Sequence, residues 1–283
     1  MGADKFSQFV RKLSLLFDHQ PPKAHLMHLT DFVSSVSASQ VNTFRACPAY
    51  WASTRLQNLY FPAGPAATRG QAIEEGLQRA LMGSTGNVEA AHALYDKAHP
   101  PVAGGGLNIG TDPVATQRAH IAPTIERALP MLQRYGALAQ PPGWRGQWEV
   151  VADHPIVPIK GFTDFAFPES GVIADLKTVT KLPTQMKSDH MIQMAIYATA
   201  CPGYTVDVLY AAPTGARVFR MTPAMVAKGW AQAVDAIDRM DRMLQTASDL
   251  PSLFAMLVPN VTSIHWQGPE AQAHLAKTFP AFA

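Results

Sequence analysis

Most of the chemistry on offer lies in "GFTDFAFPESGVIADLKT", residues 161–178, which brings two aspartates and a lysine close together. Two apolar runs flank a Pro-Glu-Ser-Gly cluster, the pattern of a β-hairpin with its turn at Pro168–Gly171. Folding the runs symmetrically about that turn pairs Phe167 with Val172 and Ala166 with Ile173, and sets Asp164 opposite Asp175. Residues so opposed have Cβ atoms about 4.5–5.5 Å apart, and like charges there are destabilising. Strand alternation puts Ile173, Asp175 and Lys177 on one face, with Phe162, Asp164 and Ala166 on the same side. Two carboxylates and one ammonium thus share a small patch. A divalent cation between the aspartates removes the repulsion. Hard oxygen donors, with no Cys or His at matching spacing, point to Mg²⁺ or Mn²⁺ and away from zinc. The residues alone leave a plainer alternative open: Asp175 and Lys177 solvated on an exposed face, with Asp164 near the turn.

A third carboxylate comes from "GQAIEEGLQRAL". On a helical wheel Ala72, Ile73, Gly76, Leu77, Ala80 and Leu81 form one apolar face, and Glu74 falls at its edge, roughly 20° from Leu81. Glu75 points away and reads as a solvated residue. In "QMKSDHMIQMAIYATA", Gln193 and Tyr197 lie four apart on one helical face, an amide and a phenol able to bind a phosphate, a water or a lysine.

The elements that must position these groups follow from periodicity and punctuation. A Ser-rich start opens a helix near Ser39–Cys47, and Pro48 starts another. "TRGQAIEEGLQRALM" is helical. Residues 83–113 carry "STGN", "HPP" and "GGGLNIG" and read as loop. A helix fits Pro113–Ala139, bent or interrupted at Pro123 and Pro130. Strands fit Gly146–Ala152, Ile156–Phe167 and Val172–Thr178. A helix over Thr184–Ala200, a strand "TVDVLYAA", its hairpin partner "ARVFRM" and a long amphipathic helix ending in "DRMDRML" complete the run. This order predicts an α/β fold with a central mixed β-sheet flanked by helices. The predicted division is an N-terminal helix and linker over 1–35, the main domain over 36–249, and a C-terminal extension over 250–283 packed on that domain.

The chain has 283 residues, 47% hydrophobic and 16% charged, enough to bury a sizeable core. Its net charge of +2 leaves a polyanion to be met by a local basic patch. Two cysteines are too few for a disulfide framework and suit a reducing compartment. No apolar run approaches the roughly 20 residues of a membrane span, and "LSLLF" is too short for a signal peptide. Phe6, Phe9, Val10, Leu13, Leu16 and Phe17 recur at helical spacing instead. The expectation is a soluble, cytoplasmic protein without membrane contact.

Taken in order, "ASQVNTFRACPAYWASTRL", "RGQAIEEGL", "GFTDFAF", "ADLKT" and "QMAIY" resemble the PD-(D/E)xK nuclease superfamily, in its RecB/Cas4-like and phage exonuclease branch. The resemblance spans residues 38–197. It implies a restriction-endonuclease-like core, with Asp164, Asp175 and the backbone carbonyl of Leu176 holding Mg²⁺ or Mn²⁺ and Glu74 completing the shell. Lys177 would orient the attacking water, with Gln193 and Tyr197 positioning Lys177 or a phosphate oxygen. Glu74 stands where histidine is common, and Asp175 where glutamate is common. Some members hold an iron–sulfur cluster with four cysteines; this chain has only Cys47 at a matching place, so no iron–sulfur cluster is expected.

The implied activity is a metal-dependent DNA exonuclease, acting in recombination, repair or end processing in a phage or bacterial setting. An endonuclease of the same fold, or a non-catalytic DNA- or protein-binding relative, is the alternative. Candidate DNA contacts are Ser39, Arg45 and Arg69, with no pattern for reading base edges. Trp51, Tyr60 and Phe61 are stacking or core residues. Implied partners beyond DNA are further copies of the chain, as in a ring, or a recombination partner protein.

Overall fold

The structure, a computed structural model, describes residues 26–100, 113–139 and 147–282. The N-terminal helix expected around Phe6–Phe17, the "GGGLNIG" segment and Gly146 lie outside the described residues. Strand β1 (Val36–Ser37) runs directly into helix α1 (Ala38–Ala46). Ser37 caps that helix, its Oγ accepting from the Gln40 amide at 3.2 Å. Cys47 is fully buried at the junction, and Pro48 opens α2 (Pro48–Leu56) in the first turn, where a missing N–H is harmless. Helix α3 (Pro65–Leu81) follows.

Residues 83–113, expected as loop, contain helix α4 (Asn87–Ala98). Val88, Ala91, Leu94 and Tyr95 form its apolar stripe, and Ala91 and Tyr95 are fully buried. The glycines and prolines on either side mark its ends and not its absence. The single helix expected over Pro113–Ala139 is two, α5 (Pro113–Ala119) and α6 (Ile121–Gln133), broken at His120 and at neither proline. Pro123 falls in the first turn of α6, where proline is tolerated, and Pro130 stays within the helix.

Strands β2 (Trp148–Ala152) and β3 (Ile159–Thr163) pair antiparallel, and β1 adds to β3 in parallel. A second sheet contains β4 (Phe165–Phe167), β5 (Val172–Thr178), β6 (Thr205–Ala212) and β7 (Gly215–Arg220), in that order. The β4–β5 register pairs Phe167 with Val172 and Ala166 with Ile173, as the turn implies. Gly171, in the left-handed region at φ 61°, closes that turn. Helix α7 (Ser188–Ala200) makes the crossover between parallel β5 and β6. The class is mixed α/β, as expected, but the strand expected over Ile156–Phe167 is cut at Asp164, where the chain passes from one sheet to the other. Residues 163–167 are all buried, which a single half-exposed strand cannot be.

Two cores result. Phe165, Phe167, Val172, Ala174 and Leu176 pack with α3, α4 and α6 on one face of the second sheet. Ala166, Ile173, Val206 and Val208 pack with α7 and α8 (Pro223–Leu244) on the other. Two later helices, α9 (Leu250–Met256) and α10 (Pro269–Thr278), add Leu253, Phe254 and Leu275 to this second core. Among the described residues no helix is long and apolar enough to cross a membrane.

β3 meets α7 through a missing side chain. A Cβ on Gly161 would lie 2.4 Å from Cε1 of Tyr197 and 3.2 Å from Cγ2 of Val150. Gly161→Ala must therefore displace the Tyr197 ring or the strand. It is expected to lower unfolding free energy by about 1–3 kcal/mol, measured as a lower denaturation midpoint at unchanged m-value.

Candidate active site

α3 docks against the end of β5, where Arg69 donates to Thr178 Oγ1 at 3.3 Å. One turn further along, Glu74 reaches the strand ends from the α3 side, while α7 brings Gln193 and Tyr197 from the opposite core. Glu74, Asp164, Asp175, Leu176, Lys177, Gln193 and Tyr197 line one cleft of about 270 Å³.

Each acid is held. Asp164 Oδ2 accepts the Leu176 amide at 2.7 Å, which ties the bend to β5. Asp175 Oδ2 lies 2.5 Å from Lys177 Nζ, and its Oδ1 accepts from Gln193 Nε2 at 3.3 Å. Gln193 also donates to the Tyr197 hydroxyl at 2.7 Å, which in turn donates to the Phe162 carbonyl at 2.8 Å. The amide and phenol thus brace Asp175 and β3, their hydrogen bonds running to that acid and to the strand rather than to Lys177.

Glu74 Oε1 accepts from Gln78 at 3.1 Å and from Gln147 at 2.9 Å. Gln147 also donates to Asp164 Oδ1 at 3.4 Å, so one amide spans two acids. The sequence reading missed both glutamines. Gln78 sits one turn from Glu74 on α3, a signal helical spacing offered. Gln147 precedes β2, and nothing local links it to Glu74.

The candidate DNA contacts separate. Ser39 is exposed on the rim of the cleft, its Oγ 2.8 Å from that of Ser37. Arg45 is exposed at the end of α1 but lines a different groove, with Asn42, Asp189 and Arg239. Arg69 is buried and donates to Gln117 at 2.5 Å as well as to Thr178. It acts as a strut inside the protein and presents no guanidinium to solvent. Trp51 is fully buried, Phe61 packs on Tyr50, and Tyr60 is exposed. His190 Nδ1 lies 2.6 Å from the Tyr210 hydroxyl, and burial lowers its pKa to about 4, so it is neutral.

A model of the PD-(D/E)XK nuclease superfamily matches residues 35–267, well over half of the chain. The chain belongs to the PD-(D/E)XK nuclease superfamily. A Eubacterium rectale protein described as "Putative exonuclease" shares 13% identity, with 77% of this chain and 83% of that chain covered and a TM-score of 0.52. That likeness concerns the fold. A second solved structure, of SSO0001, has 15% identity, coverage of 40% and 54%, and a TM-score of 0.24, too low to bear on the fold. No curated protein matches.

PD-(D/E)XK nucleases generally use divalent metals. Among the described residues no three acidic, His or Cys side chains converge as a finished metal cage. The donors nonetheless suit a hard cation: two buried carboxylates and a third, partly buried one face a single ammonium, and Asp175 Oδ2 is a buried oxygen with no hydrogen-bond donor of its own, only the Lys177 ammonium beside it. The charges register the imbalance. Burial, then the charges of Asp175 and Glu74, hold Asp164 well above the usual carboxylate range. Burial raises Asp175 against the pull of Lys177. Burial favours the neutral form of Lys177, but Asp175 and Asp164 outweigh it and hold its pKa above the ordinary value. Glu74 rises from 4.5 to about 7, chiefly through burial, with the Gln147 hydrogen bond opposing and Asp175 adding.

Between about pH 4.5 and 7 folded Glu74 keeps a proton that the unfolded chain has released. Stability from this group therefore falls as pH rises through that window and levels off above it. In EDTA, wild-type protein should lose stability relative to Glu74→Gln across the window, as read by thermal denaturation of both. Mg²⁺ or Mn²⁺ should raise the wild-type melting temperature more above pH 7 than below it, because the ionised carboxylate binds the ion.

Proposed function

We propose that the chain is a metal-dependent DNA exonuclease that hydrolyses phosphodiester bonds without sequence preference, in recombination, repair or end processing. The observation that carries this reading is the gathering of Glu74, Asp164, Asp175 and Lys177 in one cleft, braced by Gln193 and Tyr197. Asp164, Asp175 and the carbonyl of Leu176 would hold Mg²⁺ or Mn²⁺, with Glu74 completing the shell. When bound, the ion supplies Lewis-acid polarisation of the phosphate and activation of water.

The protein's own groups do the rest. The Leu176 amide and Gln193 fix the orientation of Asp164 and Asp175, and Gln147 and Gln78 fix that of Glu74. Lys177, whose ammonium rests against Asp175 at the cleft, would direct it at the phosphate oxygens and the attacking water. Charge developing on the phosphate would strengthen that contact. Ser39, exposed at the rim, would meet a neighbouring phosphate. The description of the Eubacterium rectale protein as an exonuclease accords with the choice of exo over endo action.

The test uses end-labelled linear DNA and closed-circular DNA, with Mg²⁺, Mn²⁺ or EDTA. Loss of the linear substrate alone is expected, abolished by EDTA and by Asp175→Asn. Lys177→Met should lower kcat by about 10²–10³ with little change in DNA affinity. Cutting of the circle would identify an endonuclease, and no cleavage by folded protein in either metal would favour a DNA- or protein-binding relative.

A further inference from the structure

Strand β3 reads buried, exposed, buried, exposed, buried, which puts Lys160 and Phe162 on its outer face. A lysine is ordinary there. Phe162, however, leaves 48% of its surface exposed between two buried neighbours, and it belongs to neither core. Its backbone is held firmly. The carbonyl accepts the Tyr197 hydroxyl at 2.8 Å, the residue pairs with Glu149 of β2, and Gly161 before it lies against the Tyr197 ring. A bare aromatic face on a fixed backbone is organised in advance for a contact, which lowers the entropy lost on binding.

Its place says what that contact is. Phe162 and Lys160 both line the cleft that holds the three acids and Lys177. Lys160 lies 3.3 Å from Glu149, but both side chains are nearly half exposed, so a phosphate can replace that partner. The cleft, at about 270 Å³, falls below the roughly 300–1,000 Å³ of pockets that enclose small molecules. It suits a phosphodiester, and leaves the attached base at the rim, beside the phenylalanine.

We propose that Phe162 is a stacking platform for an unpaired nucleobase next to the scissile phosphodiester, with Lys160 contacting an adjacent backbone phosphate. The proposal rests on the nuclease reading above and narrows its substrate to a single strand or a frayed end. Inside a duplex each base face is covered by its neighbours; only an unpaired or terminal base offers a face to an aromatic ring.

The test uses full-length Asp175→Asn protein with Mg²⁺, binding fluorescent single-stranded and blunt duplex DNA of one sequence, followed by anisotropy. Adding Phe162→Ala should weaken single-strand binding about 10- to 100-fold and duplex binding far less. Phe162→Trp should restore the affinity, and its indole fluorescence should be quenched by the single strand. Equal single-strand affinity with and without Phe162→Ala, in protein whose wild type cuts DNA, would overturn this proposal alone. Unquenched fluorescence in a tightly bound Phe162→Trp complex would also overturn it. Failure of the parent to bind either DNA, together with failure of wild type to cleave, would sink the nuclease reading and this proposal with it.

Discussion

Two buried carboxylates meet a third carboxylate and an ammonium that are partly buried in the same cleft, and with all four ionised the group carries two uncompensated negative charges. Two unit charges 4 Å apart interact by about 4 kcal/mol at an effective permittivity of 20. That is of the same order as the entire net stability of a domain, about 5–15 kcal/mol. The fold therefore cannot leave these groups as they would be in water. It raises the proton affinity of all three acids, places Lys177 against Asp175, and supplies a main-chain amide and three glutamine side chains to the carboxylate oxygens. Each device lowers the energy of a site whose composition invites a divalent cation.

The arrangement depends on the bend at Asp164. There the chain leaves the three-stranded sheet, and the same residue turns its carboxylate to the Leu176 amide on β5. Two cores then close over the sheet from opposite sides, α3 carrying Glu74 and α7 carrying Gln193 and Tyr197. The site is consequently not the property of one motif. It forms where a helix from each layer meets the ends of two strands.

Much of this was legible in the residues because it obeys local periodicity. The Pro168–Gly171 turn determines the β4–β5 register, and the register predicts the approach of Asp164 to Asp175. The helical wheel placed Glu74 at the edge of a buried face, where α3 presents it to the cleft. What escaped was non-local or masked by strong punctuation. Gln147 meets Glu74 only through the tertiary fold. α4 was hidden by the glycines and prolines that bound it. Arg69 carries a charge that suggests phosphate, and only the packing of α3 against α5 and β5 shows that its two terminal nitrogens, Nη1 and Nη2, are engaged within the protein.

The Tyr197 ring resting on the bare backbone of Gly161 has one more consequence. It removes the usual cushion of side chains between a helix and a strand, so α7 packs directly on the main chain of β3. The same helix is bonded to Asp175 through Gln193 and to the rim of the cleft through the Phe162 carbonyl. Sequence change around α7 therefore touches two things at once, the support of an acid and the strand that carries the rim.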